Sequence, residues 1–299
     1  MKNSNQHGVT FRKFFRSGRG IRGANSRMAA GLFFALSACA MAVEFPQGML
    51  LHFDFDESSV SYIADRTGRG NDGRGTGCTW ASPGRRGAAC EFAATNSNIT
   101  VTNRPALNLK QAAFTAWFKT SKSEAYARYI CEKNPANGFA LGVAGDSTTP
   151  QAKGKVFFAV NGHTCIGDSN VTEGVWHHAA AVYDGENLKL YVDGRLQNQT
   201  VPLRGEISAN TNDLVMGMNK SSPTPHEKGN SFGGALDEVM IFNHAISGDE
   251  VAAVIASLKP RFSKNEVQRR LIELKELLDR GLILQDFYDR KVKECQTDQ

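Results

Sequence analysis

The segment GVWHHAAAVYDGENLKLYVDGRL, residues 174–196, places two adjacent histidines close to three acidic residues. Imidazole and carboxylate groups serve in proteins as metal ligands and as general acids and bases. Successive side chains of a β-strand point to opposite faces, so His177 and His178 cannot hold one metal ion together. We interpret Asp184 and Asp193 as turn residues, and we expect His178 to be a packed strand residue that is hydrogen-bonded to a neighbour.

Two other groups of acidic residues could be considered for the hydrolysis of a glycosidic bond, which in retaining enzymes needs two carboxylates about 5 Å apart. His52, Asp54 and Asp56 share one face of a strand in HFDFDE, while Asp237 and Glu238 are adjacent in LDEV and are expected to point to opposite faces. The sequence also lacks the Gly-x-x-x-x-Gly-Lys-Ser/Thr phosphate-binding loop. It therefore predicts no catalytic residues and a protein that is not an enzyme, with a glycan-active hydrolase or lyase as the alternative.

The residues around these groups form a succession of short strand patterns separated by turn residues. Between residues 49 and 242 the strand-like segments follow one another at a spacing of roughly ten residues. They include MLLHFDF, NITVTN, FTAWFKTS, ARYICEKN, FALGVAG, KVFFAVNG, WHHAAAVYDG, LKLYVDGRL, DLVMGMN and ALDEVMIFN. This pattern predicts an all-β fold, a two-sheet antiparallel jelly-roll sandwich.

The C-terminal part changes to helical patterns. Residues 247–258 predict a short helix with Ser247 as its N-cap. A helical hairpin follows, in which Gly281 ends the first helix and the second helix begins near Gln285. Because so small a hairpin cannot build a large core alone, we expect residues 262–299 to serve docking or homo-oligomerisation.

The first 42 residues have the composition of an export signal. They carry seven Lys or Arg and no acid, and the apolar run that follows Arg27 is shorter than the roughly 20 residues of a membrane span. Ala40-Met41-Ala42 fits a cleavage pattern, so we predict a signal peptide at residues 1–42 and a secreted or periplasmic protein without a transmembrane span. The alternative is an envelope-anchored lipoprotein, lipidated at Cys39 of the sequence LSAC.

The charge of the body of the protein gives no reason to expect a nucleic-acid partner. The formal net charge is +5, and subtracting the seven positive charges of residues 1–42 leaves −2 for the remainder. A nucleic-acid-binding protein is expected to carry a basic patch or a strongly positive net charge.

Export permits disulfides, and five cysteines lie beyond the signal region. Four are in the Gly-rich body, and Cys295 is near the C-terminus as an odd thiol. We predict the pairs Cys78–Cys90 and Cys131–Cys165, because the first would close a short loop and the second lies on segments that could be neighbouring strands. The alternative pairing is Cys78–Cys165 with Cys90–Cys131.

Several of these segments together resemble the laminin G-like, concanavalin A-like jelly-roll superfamily. The resemblance is carried by residues 174–196, by LLHFDFDE, DRTGRGNDG and AAFTAWFKT, and by GGALDEVMIFNHAISGDEVAAV at residues 233–254. It implies two curved antiparallel sheets in one domain over residues 43–258. The superfamily contains binding modules, adhesion modules and some enzymes, so the resemblance alone does not define a function.

The tail, residues 259–299, resembles a second family, the bacterial short C-terminal (SHOCT) domain. The residues that carry this likeness are LIELKELLDRGLILQDFYDRKVKE. Leu284 stands where the family usually has Thr, so the second helix lacks its usual cap.

The first resemblance also implies a structural calcium ion. In the superfamily the acid of the closing strand, here Asp237, often binds calcium together with backbone oxygens of early loops, for which Asp56 and Asp65 are the nearest candidates. Our leading hypothesis is a module that binds carbohydrate or an envelope protein, and a purely structural envelope protein is a further alternative. The ligand residues are unassigned, although the polar loop 219–231 and Trp80 are candidates for a sugar site.

Overall fold

The structure is a computed structural model that describes residues 46–57, 59, 61–81, 83–94, 96–121, 127–145, 150–220, 232–258 and 264–297. The described residues all belong to one compact unit within Val43–Gln299. The signal-peptide and Cys39 predictions therefore lie outside the described residues. Among the described residues, no helix is both long and apolar enough to cross a membrane.

The described residues form sixteen strands and three α-helices. The strands are β1 (Met49–Phe53), β2 (Arg74–Thr76), β3 (Thr79–Ala81), β4 (Ala89–Glu91), β5 (Asn98–Val101), β6 (Ala112–Thr120), β7 (Arg128–Lys133), β8 (Phe139–Val143), β9 (Lys155–Val160), β10 (His163–Asn170), β11 (Trp176–Tyr183), β12 (Asn187–Val192), β13 (Arg195–Leu196), β14 (Val201–Pro202), β15 (Leu214–Met216) and β16 (Gly234–Phe242). The helices are α1 (Gly248–Ser257), α2 (Lys264–Asp279) and α3 (Gln285–Thr297).

The strands build two antiparallel sheets, which confirms the predicted sandwich. The first sheet has the order β13-β12-β11-β6-β16-β4-β3, with β1 also paired to β16 and β14 to β12. The second sheet has the order β10-β9-β8-β7-β15-β5-β2. Strand β16 pairs with strands from the beginning of the chain, so the last strand closes the first sheet.

The main core lies between the two sheets and follows the period of two along each strand. In β11, Ala179, Ala181 and Tyr183 face this core, and in β12 Leu188 and Leu190 do so. The intervening residues of the first sheet face the other side, where Ala180 and Val182 form a second apolar cluster with α1. The first sheet is therefore buried on both faces where α1 covers it.

Helix α1 begins at the position that the sequence predicts. The Ser247 side chain accepts a hydrogen bond from the Glu250 backbone N–H, and the Glu250 side chain accepts one from the Ser247 backbone N–H. This capping box satisfies two of the N–H groups that a helix start leaves unpaired. Val251 and Val254 of α1 are buried against the outer face of the first sheet.

Helices α2 and α3 form the predicted hairpin and pack on each other. Gly281 has a φ of 67°, and the N–H groups of Gly281 and Leu282 bond to the carbonyls of Leu278 and Leu277. This is the Schellman arrangement, which favours glycine at the left-handed position after a helix. The side chain of Cys295 lies outside the described residues.

The four body cysteines are buried free thiols in this structure. The Cys78 thiol donates to the Asn98 carbonyl oxygen at 3.8 Å, and its interaction with Cys90 lowers the pKa of Cys78 and raises that of Cys90. Cys131 and Cys165 are paired to Leu141 and Phe158, so they lie in one row of the second sheet with β8 and β9 between them. Three inter-strand steps of about 4.8 Å place them roughly 14 Å apart, twice the limit for a disulfide. The predicted Cys131–Cys165 bridge is wrong for this strand order.

For Cys78 and Cys90 we expect a bridge under oxidising conditions. Peptide mapping without reduction should recover a Cys78–Cys90 linked peptide, while Cys131 and Cys165 should react with an alkylating agent only after unfolding. Replacing both Cys78 and Cys90 by Ser should lower the unfolding free energy by roughly 3 kcal/mol, because the bridge closes a short loop in the unfolded chain. A linked peptide that contains Cys131 and Cys165 would contradict the strand order.

Candidate functional site

One row of paired residues crosses the whole second sheet on the face turned away from the core. Its members are Arg74, Thr100, Val215, Glu132, Ala140, Ala159 and Thr164, in the order of the strands from β2 to β10. Their chain neighbours, such as Ile99 and Phe158, face the main core, so the row itself faces outward. We call this surface the outer face of the second sheet.

At the β7–β10 end of the row lies a cavity of about 260 Å³, which we call the aromatic pocket. It is lined by Ala127, Tyr129, Pro135, Ala136, Phe157, Ala159, Gly162 and Thr164. The rings of Tyr129 and Phe157 meet edge to face, with centroids 5.5 Å apart and an interplanar angle of 84°. Flat aromatic surface beside a few hydroxyl groups suits the apolar C–H face and polar rim of a sugar ring.

Small residues leave the space for this pocket. A Cβ atom on Gly142 would lie 2.3 Å from the Arg128 carbonyl oxygen and 2.7 Å from the ring of Phe157. Gly142 therefore lets Phe157 fold back over β8. The short side chains of Ala140 and Ala159 leave space above the adjoining part of the sheet.

At the other end of the row, beside β2 and β5, lies a cavity of about 150 Å³ that we call the arginine pocket. It is lined by Tyr62, Gly70, Asp72, Gly73, Arg74, Val101, Thr102 and Arg104. Tyr62 hydrogen-bonds Asp72, and this bond raises the pKa of the Tyr62 phenol. The cavity is thus polar and carries two guanidinium groups, in contrast to the aromatic pocket.

Between the two pockets, Lys220 lies over the row. Its Nζ donates to Thr100 Oγ1 at 2.7 Å, and its backbone N–H donates to Glu132 Oε1 at 3.0 Å. Glu132 is fully buried, and its other oxygen accepts the Asn134 N–H. Glu132 therefore holds the backbone at Lys220 in place through this hydrogen bond. Most of the loop proposed as a sugar rim, residues 221–231, lies outside the described residues.

The prediction that Asp237 and Glu238 point to opposite faces of the sheet is wrong. The register of β16 against β6 shifts between Asp237 and Met240, and Glu238 has a φ of 48°. This β-bulge inserts one residue, so both carboxylates lie on the outer side of the first sheet instead of on opposite faces. Glu238 contacts His52 at 2.6 Å and Arg86 at 3.5 Å, and it is 1% exposed.

The three acids predicted to bind calcium are each bound by backbone N–H groups. Asp237 accepts from Arg85 and Arg86 through Oδ2 and from Glu238 through Oδ1, and burial raises its pKa to about 8. Asp56 accepts from the Ala88 N–H at the other end of the same turn.

Asp65 is bound in the same way, by the N–H groups of His52, Thr67 and Asn71. The described residues contain no group of three His, Cys, Asp or Glu side chains placed to share a metal ion. Because N–H donors point at the oxygens that a cation would need, this arrangement does not fit Ca²⁺. The three carboxylates instead hold in place the loops whose N–H groups they accept.

The two adjacent histidines face opposite sides of β11, as predicted. His177 Nδ1 lies 2.8 Å from Asp193 Oδ2, and the second Asp193 oxygen accepts the His178 N–H. Asp193 and Gly194 have φ angles of 50° and 80° in the tight turn between β12 and β13, which confirms the turn role of Asp193. The prediction that the His178 ring is hydrogen-bonded to a neighbour is wrong, because neither ring nitrogen has a partner.

His178 is enclosed on the outer side of the first sheet. Its ring packs edge-on against Trp117 at 5.3 Å between centroids, and the side chain is fully buried. Burial lowers the pKa of His178 to about 3, so the ring is neutral in the folded protein at pH 7. A neutral, enclosed ring is part of the packing and is not a ligand for solvent-borne molecules.

This burial predicts a specific acid sensitivity. A histidine in the unfolded chain has a pKa near 6.5. As the pH falls from about 6.5 towards about 3, position 178 therefore binds a proton in the unfolded state but not in the folded state. The unfolding free energy should fall by roughly 4 kcal/mol over this range. Denaturant titrations at several pH values should show His178→Leu losing most of this slope.

The matched control is His163→Leu, because His163 is exposed on β10. That variant should keep the slope of the unmodified protein. Parallel loss of stability in the unmodified protein and in His178→Leu would contradict the assignment.

Sequence reasoning did not identify the two aromatic residues of the pocket. It named Trp80, which is exposed at the edge of the first sheet with its Nε1 bonded to the Phe55 carbonyl, away from either pocket. A usable signal was present in KVFFAVNG: two adjacent phenylalanines on one strand cannot both face the core, so one must lie on the outer face. Tyr129 gave no comparable signal.

The chain matches one known family and shares its fold with solved structures. The Laminin_G_3 family model, described as the Concanavalin A-like lectin/glucanases superfamily, matches residues 93–252. A comparison with curated proteins finds no match.

Solved structures share the fold at low sequence identity. Domain 4 of AbnA, a GH43 extracellular arabinanase from Geobacillus stearothermophilus, in complex with arabinotriose, superposes with a TM-score of 0.52 at 17% identity, covering 69% of this chain and 97% of that chain. The binding domain of botulinum neurotoxin DC in complex with SialylT gives a TM-score of 0.51 at 12% identity, covering 71% of this chain and 52% of that chain.

A third structure concerns botulinum neurotoxin type C, whose cell entry is dependent upon interaction with two ganglioside molecules. Its TM-score is 0.50 at 12% identity, with the same coverage of 71% and 52%. The chain thus spans about half the length of the two neurotoxin chains. At these identities the likeness shows the fold alone.

Proposed function

We propose that this chain, which belongs to the concanavalin A-like lectin/glucanases superfamily, is a non-catalytic binding module that takes a glycan into the aromatic pocket. The observation that carries the proposal is the edge-to-face pair of Tyr129 and Phe157 in a cavity of about 260 Å³ on the outer face of the second sheet. The cavity is mostly apolar and has hydroxyl groups from Tyr129 and Thr164, which is the usual composition of a small-ligand site.

Two further observations support a glycan. One structural neighbour was solved with arabinotriose and another with SialylT, and the cell entry of a third is dependent upon interaction with two ganglioside molecules. The N-terminal sequence, with its basic region and short apolar run, supports export, and therefore a place outside the cytoplasm where glycans are met. Anchoring through a lipid on Cys39 is the alternative form of the same proposal.

The test is a glycan array followed by calorimetry with the best-bound neutral oligosaccharide. Tyr129→Ala should weaken binding about tenfold or more, because it removes the ring on which a sugar would stack, while the circular dichroism spectrum stays unchanged. Trp80→Ala is the matched control, since it removes an exposed aromatic ring from the first sheet, and its affinity should equal that of the unmodified protein. A blank array, or equal affinities for Tyr129→Ala and the unmodified protein, would contradict the proposal.

The rival function is a glycan-active hydrolase or lyase. The observation in its favour is the group formed by His52, Asp237 and Glu238 at the β-bulge, with a 2.6 Å contact between His52 and Glu238. Against it, Asp237 and Glu238 are enclosed beneath the turn at residues 84–88 and lie on the sheet opposite the aromatic pocket. A substrate in the aromatic pocket cannot reach them, which is why we favour binding without catalysis.

For the tail we propose self-association, in keeping with its likeness to the short C-terminal domain. Leu284 is 80% exposed and Leu282 is 59% exposed at the turn between α2 and α3. Apolar side chains at this level of exposure gain free energy when a partner covers them.

Light scattering on the purified chain should therefore show an oligomer. The double variant Leu282→Glu, Leu284→Glu should return the mass to that of one copy, because it places charge at the contact. Gln268→Glu, which adds charge at an exposed polar position of α2, should leave the oligomer intact. A single-copy mass for the unmodified chain at every concentration would contradict self-association.

A further inference from the structure

The arginine pocket differs from the aromatic pocket in charge. Arg74 and Arg104 contribute two positive charges, and no ion pair within the described residues engages either of them. The one acid of the pocket, Asp72, accepts the Asp65 N–H at 2.9 Å and the hydrogen bond of Tyr62. The carboxylate is thus occupied by neutral donors, and the guanidinium groups keep their own donors for a ligand.

The position of Arg104 depends on a glycine. A Cβ atom on Gly70, whose φ is +76°, would lie 3.2 Å from Arg104 Nη1. The guanidinium group therefore lies directly against the backbone of the loop. A planar guanidinium can donate two parallel hydrogen bonds to a carboxylate or a sulfate, a geometry that a lysine does not offer.

Both pockets open on the same sheet and are related by the sheet register. Arg74 lies in one row with Ala159 and Thr164, which line the aromatic pocket. Five inter-strand steps separate β2 from β9, and at about 4.8 Å a step this is roughly 24 Å. Lys220 adds a third positive charge between them, with its Nζ on Thr100. Only an extended ligand can occupy both ends.

We propose that the arginine pocket binds an anionic group, a carboxylate or a sulfate ester, carried by the same extended glycan whose neutral ring occupies the aromatic pocket. This rests on the proposed glycan-binding function. A cavity of about 150 Å³ is small beside the roughly 300 Å³ or more of a drug-sized site, so it holds one substituted ring and not a second long segment. The chain is thereby selective for acidic glycans.

The experiment uses the full chain and three oligosaccharides with one common backbone: a neutral form, a form with uronic acid residues and a sulfated form. Calorimetry should show at least one acidic form binding about tenfold more tightly than the neutral form, as expected for charge-assisted hydrogen bonds. The double variant Arg74→Gln, Arg104→Gln should lose this advantage and retain the neutral affinity. Whichever acidic form is preferred identifies the source of the anionic group.

The controls separate this inference from the function on which it rests. Arg204→Gln removes one exposed positive charge elsewhere, and Tyr129→Ala removes the aromatic pocket. The inference predicts that Arg204→Gln keeps the preference for the acidic form and that Tyr129→Ala weakens every form.

Equal affinities of the unmodified chain for neutral and acidic forms would overturn the inference and leave glycan binding in place. The same would follow if Arg204→Gln abolished the preference, because the effect would then be one of general charge. Acidic binding that Tyr129→Ala leaves unchanged would show that the two pockets do not share a ligand and would also overturn it. Absence of binding by all three forms and by the array would overturn both proposals.

Discussion

Burial of the first sheet on both faces is the constraint on which the rest of the structure depends. The inner side of β11 packs into the main core through Ala179 and Ala181, and the outer side packs under α1 through Ala180 and Val182. Four consecutive small apolar residues permit close approach from both sides. With α1 on the outer side of the first sheet, both pockets lie on the outer face of the second sheet.

The β-bulge at Asp237 and Glu238 shows how buried acids are used in this fold. A non-glycine residue at positive φ costs of order 1–3 kcal/mol and persists only where the surroundings hold it. Here His52 and Arg86 contact the Glu238 carboxylate, while Asp237 accepts the N–H groups of residues 85 and 86. The acids thereby fix the turn at residues 84–88 to the sheet. Carboxylates bound in this way have a structural role.

The outer face of the second sheet combines two kinds of surface within one row. The β8–β9 part of this face is apolar and carries small residues, Ala140, Gly142 and Ala159. The space that they leave is the cavity beside the Tyr129 and Phe157 rings. Towards β2 the same row ends in Arg74, with Lys220 on the way. An apolar stacking end and a cationic end recognise different parts of one ligand, and this separation gives selectivity that neither surface would give alone.

The sequence by itself determined the fold class, because alternation with a period of two and regular turn residues leave few ways to bury the apolar faces of ten strands. It also determined the caps at Ser247 and Gly281, whose hydrogen bonds are formed by near neighbours. Alternation alone did not identify β10, since HTCIGDSN is rich in polar and turn-forming residues and becomes a strand only by pairing with β9.

Only the tertiary structure decided which strands are neighbours, and strand order is a long-range property that no local pattern encodes. For that reason it alone separated Cys131 from Cys165, placed Asp237 and Glu238 on one face through a register shift, and brought Tyr129 of β7 against Phe157 of β9. The two ends of the proposed site come from strands far apart in the chain. Their common face follows from the register of the whole sheet.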